Sequence, residues 1–351
     1  MSKSAVIKAK YSSVYFDEDF SALKKFLSAN SFSSVTILTD SNTKKYCLKK
    51  FVQQTALKNY TLITISSGEK YKSLDSAIVV WNHLAKIADR KSLLINLGGG
   101  VVSDLGGFSA SVFKRGISFI NVPTTLLSMT DAAIGSKTGV DYNFHKNQLG
   151  SFAHPLGIFI STQWLKTLSE KEMLSGYGEL SKQAILAGEN QWKKFVSDFG
   201  SQKNISALVQ SAVAFKLKIT DADVRDDGNR KQLNFGHTVG HAFESYFLKI
   251  NKPMPHGICV AAGMICELRL SEMIFKCEGL FKNEIEFLKK NFPKLKIGKA
   301  EVKEFLLLIF SDKKNQGKRI KPVLLKSVGA SFWNNEVSIG QIEECIHFYR
   351  N

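Results

Sequence analysis

Short apolar blocks separated by amphipathic stretches set the pattern of the first half of the chain. Residues 35–39 (Val-Thr-Ile-Leu-Thr) predict a buried strand, followed by a helix-like run over 43–57. A second strand is expected at 60–65, a loop at 66–73 and an amphipathic helix at 74–88. Further strands are expected at 92–97 and 117–122. Strands spaced by helices predict a parallel sheet covered on both faces. From about residue 160 the apolar spacing turns helical, with long segments at 165–186, 205–222, 234–248, 258–274 and 302–310. The expectation is an α/β domain over 1–160 and an all-α domain over 161–351, with a cleft between them.

Composition narrows the class. A chain of 351 residues with 44% hydrophobic and 23% charged residues is globular rather than disordered. Cys47, Cys259, Cys266, Cys277 and Cys345 are scattered and form no Cys-x-x-Cys, which points to reduced thiols and a cytoplasmic protein. No apolar stretch is long enough for a membrane span, and the N-terminus lacks a signal-peptide core. Net charge is +17. The excess is spread over lysine pairs such as Lys24-Lys25 and Lys289-Lys290, without a nucleic-acid recognition motif. Solvated surface explains most of it, and a positive field would draw an anionic metabolite rather than nucleic acid.

Three clusters carry candidate chemistry. The strand at 92–97 runs into Gly98-Gly99-Gly100-Val101-Val102-Ser103-Asp104, a glycine turn opening a helix. Such a turn lets backbone amides approach a pyrophosphate, although the spacing is not G-x-G-x-x-G and a plain tight turn is the alternative. Asp40, ending the first predicted strand, could hold a ribose hydroxyl. Past the strand at 117–122 come Pro123-Thr124-Thr125, Asp131, Lys137 and Lys146-Asn147, expected on loops at strand ends, where open α/β sheets bind ligands. In the second half, His237 and His241 lie one helical turn apart, and His256 follows a loop containing Pro253 and Pro255. Glu179 and Lys182 are spaced i, i+3, ordinarily a surface ion pair. With His237 and His256, Glu179 would complete a His₂Glu metal set, though spacing alone cannot reveal it.

The blocks SGEKYKS (67–73), GGGVVSDLGGF (98–108), KRGISFINVPTTLLSMTDAAIGSKTGVD (114–141), HKNQLGSF (145–152), GYGELSK (176–182), RKQLNFGHTVGHA (230–242) and HGICVAAGM (256–264) together resemble the 3-dehydroquinate synthases, of the sugar-phosphate cyclases. They run in the family's order over roughly 35–265, with a weaker match at 312–315. Departures fall at Ser136, His145, Gly178 and Asp226, none of them a ligand position.

The resemblance implies the dehydroquinate synthase-like fold, with a Rossmann-like NAD-binding domain and a helical metal- and substrate-binding domain. It implies Glu179, His237 and His256 as ligands of a divalent metal, zinc foremost and cobalt as an alternative. It implies NAD contacts from Asp40, Glu69, Lys72, Gly99, Gly100, Val101, Val102, Ser103, Asp104, Thr124, Thr125, Lys137, Lys146 and Thr167. Around a phosphorylated sugar acid it sets Asp131, Lys137, Lys146, Asn147, Lys182, Lys216, Arg230, Asn234, His241 and Lys314. Arg115 matches a residue that reaches substrate phosphate from a neighbouring subunit, so a homodimer is implied.

The reaction so implied turns 3-deoxy-D-arabino-heptulosonate 7-phosphate into 3-dehydroquinate and phosphate, in the shikimate route to aromatic amino acids. A temporary oxidation by NAD acidifies a C–H, phosphate leaves by β-elimination, the hydride returns, and an intramolecular aldol closes the ring. Rival readings are an inosose- or valiolone-forming cyclase, or a metal-dependent NAD polyol dehydrogenase. Arg230, Asn234, His241 and Lys314 favour a carboxylated substrate, which the other cyclases lack. The basic run 313–321 is a candidate lid.

Overall fold

The computed structural model describes residues 5–143, 145–311 and 320–351. It divides into two units, one of 1–169 with 209–225, the other of 170–208 with 226–351. The sequence reading took two continuous halves; the chain instead returns to the first unit for residues 209–225.

The first unit is built on β1 (Ala5–Lys8), β2 (Ser13–Phe16), β3 (Val35–Asp40), β4 (Thr61–Ile65), β5 (Leu93–Gly98) and β6 (Ser118–Pro123). After them come β7 (Lys137–Tyr142), β8 (His145–Phe152) and β9 (Gly157–Ile160). Seven of these make one sheet in the order β1-β2-β9-β6-β5-β3-β4, parallel except for the antiparallel β1–β2 edge. Every residue of β5 is buried, as expected of an apolar strand covered on both faces. The helix Leu74–Ile87 starts where the Ser73 side chain accepts from the Ser76 amide at 3.3 Å. It buries Ala77, Val80 and Leu84, a helical spacing, against Leu38, Ile63 and Leu94 in one core. The helix Gly100–Val112 lies so close to the sheet that a Cβ on Gly106 would sit 1.9 Å from the Asn96 Oδ1.

Two expectations change in detail. The run predicted as one helix over 43–57 is a π-helical turn, Lys44–Leu48, leading into Lys49–Thr55. Lys137, Lys146 and Asn147, expected on loops, lie instead on the strands of the β7–β8 hairpin, outside the main sheet. The Asp141 amide donates to the Lys72 carbonyl at 2.8 Å, which fastens that hairpin to the segment before the Leu74–Ile87 helix. Strands β1, β2 and β9 were too short or too mixed in pattern to predict.

The second unit is helical, with a two-stranded ribbon, β10 (Leu324–Ser327) and β11 (Ala330–Phe332), added to the expected helices. Its axis is the helix His256–Phe275, buried without interruption from Gly257 to Leu268 and apolar or small all round except for Glu267. It crosses the helix Glu170–Ala187 at backbone contact. A Cβ on Gly178 would lie 2.0 Å from the Gly257 carbonyl oxygen, and one on Gly257 would lie 1.8 Å from the Ser175 carbonyl oxygen. The same helix meets His237–Lys249 closely, since a Cβ on Gly263 would lie 2.0 Å from the Gly236 carbonyl oxygen. Among the described residues, no helix is long and apolar enough to cross a membrane.

Because Gly178 and Gly257 touch backbone to backbone, a methyl group at either forces the helices apart. Gly257→Ala is expected to lower unfolding free energy by about 3 kcal/mol or more, at the upper end for overpacking. Urea denaturation measures it, and a loss under about 1 kcal/mol would show that the crossing can relax.

Candidate metal centre and charged cluster

Three histidines and one carboxylate meet in the second unit. The crossing at Gly178 and Gly257 sets Glu179 and His256 beside each other, each the next or previous residue along its helix. His237 opens the helix His237–Lys249, and its position depends on the turn before it. Gly236 adopts φ 77, a left-handed conformation that a residue with a Cβ enters at a cost. The buried Glu267 carboxylate accepts from the Gly236 amide at 2.7 Å and from the Val239 amide at 3.2 Å. These bonds satisfy amides at the start of that helix and place a negative charge at its positive end.

The result is a tight donor set. The His237 Nε2 lies 3.5 Å and the His256 Nε2 3.4 Å from the same Glu179 oxygen, Oε1. One ligand atom from each of the three residues lies within 4.8 Å of the others. Glu179 is fully buried, and the Lys182 ammonium, also buried, lies 2.5 Å from its Oε2. The pair expected on the surface is therefore an interior one, held where unpaired charges are costly.

Each imidazole has its other nitrogen engaged. The His237 Nδ1 is 3.0 Å from the Phe235 carbonyl oxygen, and the His256 Nδ1 is 3.2 Å from the Glu244 Oε2. Both partners are acceptors, so each Nδ1 carries a proton and each Nε2 is the nitrogen left to bind a cation. Two neutral nitrogens and one carboxylate, all converging, fit a divalent metal such as zinc. Burial opposes a charged His256 ring, but Glu244 and Glu179 outweigh it and push its pKa up to about 10.

His241, Glu244 and His256 form a second possible triad. Both triads need His256, and a neutral ring has one lone-pair nitrogen, so they cannot be filled together. The His241 ring stands 5.2 Å from His237 and 5.9 Å from His256, centroid to centroid. Arg230 is buried in the 3₁₀ turn Asn229–Asn234, the turn that also carries Asn234 into Phe235.

The first unit gathers a separate charged cluster. The Lys72 ammonium, buried, bonds the Asp104 carboxylate and the Asn147 Oδ1, the latter at 2.6 Å. Burial disfavours its charge, but Asp104 and Glu69 prevail and raise its pKa. Lys146 lies 3.2 Å from Glu69, and Asp141 accepts from the Asn147 amide at 2.8 Å. Nearby strand ends complete the region. The Thr124 amide donates to the Gly98 carbonyl at 2.9 Å, and a Cβ on Gly99 would come within 3.1 Å of Thr125. Gly100, Val101, Val102, Ser103 and Asp104 form the opening turns of the helix Gly100–Val112. Asp40 caps the turn after β3, accepting from the Thr43 amide at 2.8 Å. The Lys216 ammonium donates to both the carbonyl and the Oδ1 of Asp131, each at 2.6 Å.

Comparison with known proteins decides the family. The model described as 3-dehydroquinate synthase N-terminal matches residues 62–175, and the C-terminal one matches 176–315. The 3-dehydroquinate synthase of Parabacteroides distasonis is 39% identical, covering 94% of this chain and 95% of its own. That of Campylobacter jejuni is 35% identical over 77% of this chain and 79% of its own. The chain belongs to the 3-dehydroquinate synthase family. Its activity is the family's. Among solved structures, a 2-deoxy-scyllo-inosose synthase complexed with carbaglucose-6-phosphate, NAD⁺ and Co²⁺ aligns with a TM-score of 0.85. It is 21% identical and covered to 99% on both sides. The 2-epi-5-epi-valiolone synthase of Streptomyces hygroscopicus, with NAD⁺ and Zn²⁺ bound, also gives 0.85 at 20% identity and 99% coverage of both chains. At these identities the likeness is one of fold.

Within this 3-dehydroquinate synthase fold, Glu179, Lys182, His237, His241 and His256 come together in the second unit, which also holds Arg230 and Asn234. Glu69, Lys72, Asp104, Lys146 and Asn147 come together in the first, as do Asp131 and Lys216. Arg115 is exposed at a sharp turn with φ 67, beside Lys114 at φ 50. Thr167 ends a 3₁₀ turn and bonds the Trp164 carbonyl at 2.7 Å. Lys314 and most of the candidate lid lie outside the described residues.

Sequence reasoning missed Glu244, Glu267 and Asp141. Glu244 was within reach, being seven residues after His237 and three after His241, hence on the same helical face. Glu267 carried no such signal, because its partners are backbone amides 31 and 28 residues away in sequence.

A cation that takes the His256 Nε2 competes with the proton that Glu244 and Glu179 favour on that ring. Loading the metal-free protein with Zn²⁺ at pH 7 in weak buffer is expected to release about one proton per site. Proton-free loading, followed with a pH indicator, would contradict the ligand assignment.

Proposed function

We propose that this enzyme performs the family's reaction with NAD and a divalent cation, zinc foremost, held by Glu179, His237 and His256. The substrate is the phosphorylated sugar acid 3-deoxy-D-arabino-heptulosonate 7-phosphate, and the products are 3-dehydroquinate and phosphate. The observation that carries this reading is the pair of Nε2 atoms 3.5 and 3.4 Å from one buried carboxylate oxygen, with both Nδ1 atoms already bonded.

When bound, the cation supplies Lewis acidity toward a substrate hydroxyl, and NAD supplies a reversible hydride acceptor. The chain's own residues do the rest. Lys182 holds a positive charge at the Glu179 Oε2 and is near enough to the donor set to meet an anionic substrate group. Arg230, Asn234 and His241 stand on the same unit and are assigned to the carboxylate and hydroxyls. Lys137, Lys146 and Asn147, fixed on a hairpin rather than a free loop, bind anionic groups with little ordering cost. Lys72 and Asp104 brace that hairpin from below, so their part in NAD binding is to position Asn147 and the glycine turn. Fixing both anionic ends of a substrate converts remote binding energy into orientation at the reacting carbon.

Arg115 is assigned to a homodimer contact with a partner's substrate phosphate. A cytoplasmic location agrees with the free cysteines of the described residues.

The decisive assay is phosphate release from the heptulosonate phosphate, with and without catalytic NAD and a chelator. Turnover is expected to require both cofactors without steady-state NADH. Steady NADH accumulation would identify a dehydrogenase instead. Glu179→Gln and His256→Ala are each expected to lower kcat/KM by about a thousandfold or more, with the circular dichroism unchanged. Lys137→Ala should cost more than about tenfold in kcat/KM, beyond a surface charge pair's worth; a smaller change would remove it from the substrate site.

A further inference from the structure

Resting on the metal site just proposed, we infer that Glu244 is a positioning residue that holds the proton on His256 Nδ1 and thereby aims His256 Nε2 at the cation. The two ligand histidines are oriented by different means. His237 Nδ1 donates to a backbone carbonyl, that of Phe235 at 3.0 Å, which no substitution removes. His256 Nδ1 donates to a side chain, the Glu244 Oε2 at 3.2 Å, and so depends on one replaceable group. Glu244 is itself well buried, with its side chain 12% exposed, and the His256 ring is only 25% exposed. Water is a poor substitute in so enclosed a place.

Helix geometry makes the arrangement rigid. Glu244 stands two turns beyond His237 on the helix His237–Lys249, while His256 begins the following helix. One helix thus delivers both a ligand and the acceptor that orients the other ligand. Metal-bound imidazoles commonly donate their second nitrogen to a carboxylate, which fixes the tautomer and strengthens the donor nitrogen. Without that acceptor the ring can turn over or adopt the other tautomer, and then presents an N–H to the cation.

The test is Zn²⁺ affinity of the full-length protein, measured by chelator competition in the absence of NAD and substrate. The same carboxylate also strengthens the ring's hold on a proton, so the comparison is made at several pH values and proton competition is fitted out. Glu244→Ala is expected to weaken Zn²⁺ binding about 10- to 100-fold. Glu244→Gln retains a carbonyl acceptor and should stay within about threefold of the parent in the same assay. If Glu244→Ala does not fold, Glu244→Asp serves, since it withdraws the acceptor by one carbon and is expected to bind Zn²⁺ more weakly than Glu244→Gln; affinity equal to the parent's overturns the inference.

Unchanged affinity in Glu244→Ala overturns the inference. Equal losses in Glu244→Gln and Glu244→Ala overturn it differently, by making the charge or direct ligation the cause. His256→Ala separates this from failure of the site itself. If His256→Ala loses Zn²⁺ and Glu244→Ala does not, only the positioning role falls; if neither does, the metal assignment falls with it.

Discussion

The second unit depends on two helix backbones in direct contact at Gly178 and Gly257. Neither position has room for a methyl group, because the opposing carbonyl oxygens lie about where a Cβ would be. That closeness brings Glu179, one residue along, within reach of the imidazole of His256, one residue back. A Cβ on Gly257 would press on the Ser175 carbonyl and widen the crossing.

From that contact the remaining polar groups follow in order. A buried carboxylate beside two imidazoles needs positive charge, and Lys182 supplies part of it at the other oxygen. Neutral rings need acceptors on their outer nitrogens, and Phe235 and Glu244 provide them. The His237 helix needs its first amides satisfied, and Glu267 provides that from the buried axis helix. Glu179 and Glu267 are thus each answered by a positive charge or by hydrogen bonds, the condition under which buried polar groups persist.

The first unit solves a different problem, that of presenting flexible cationic side chains in fixed places. Its means is a hairpin, β7–β8, tied to Lys72 by backbone and side-chain bonds. The buried Lys72 is the hub, bonded to Asp104 at the start of one helix and to Asn147 on the hairpin. The backbone of Lys137 and Lys146 is thereby ordered in advance, which would lessen the entropy lost if they bind a ligand.

Much of this was written in local sequence. The apolar blocks at 35–39, 60–65, 92–97 and 117–122 each became a parallel strand, and the central one at 92–97 is apolar on both faces because it is covered on both. The ordered motifs identified the family, and the one-turn spacing of His237 and His241 put them on one face. Tertiary structure alone decided that an i, i+3 pair, Glu179 and Lys182, is interior rather than exposed. It also decided that Lys137 and Asn147 lie on strands, that residues 209–225 rejoin the first unit, and that Glu267 caps a helix remote from it in sequence. The reason is common to all four. Periodicity reports which face of an element is apolar, whereas burial of a charge and pairing across a crossing depend on which other element arrives there.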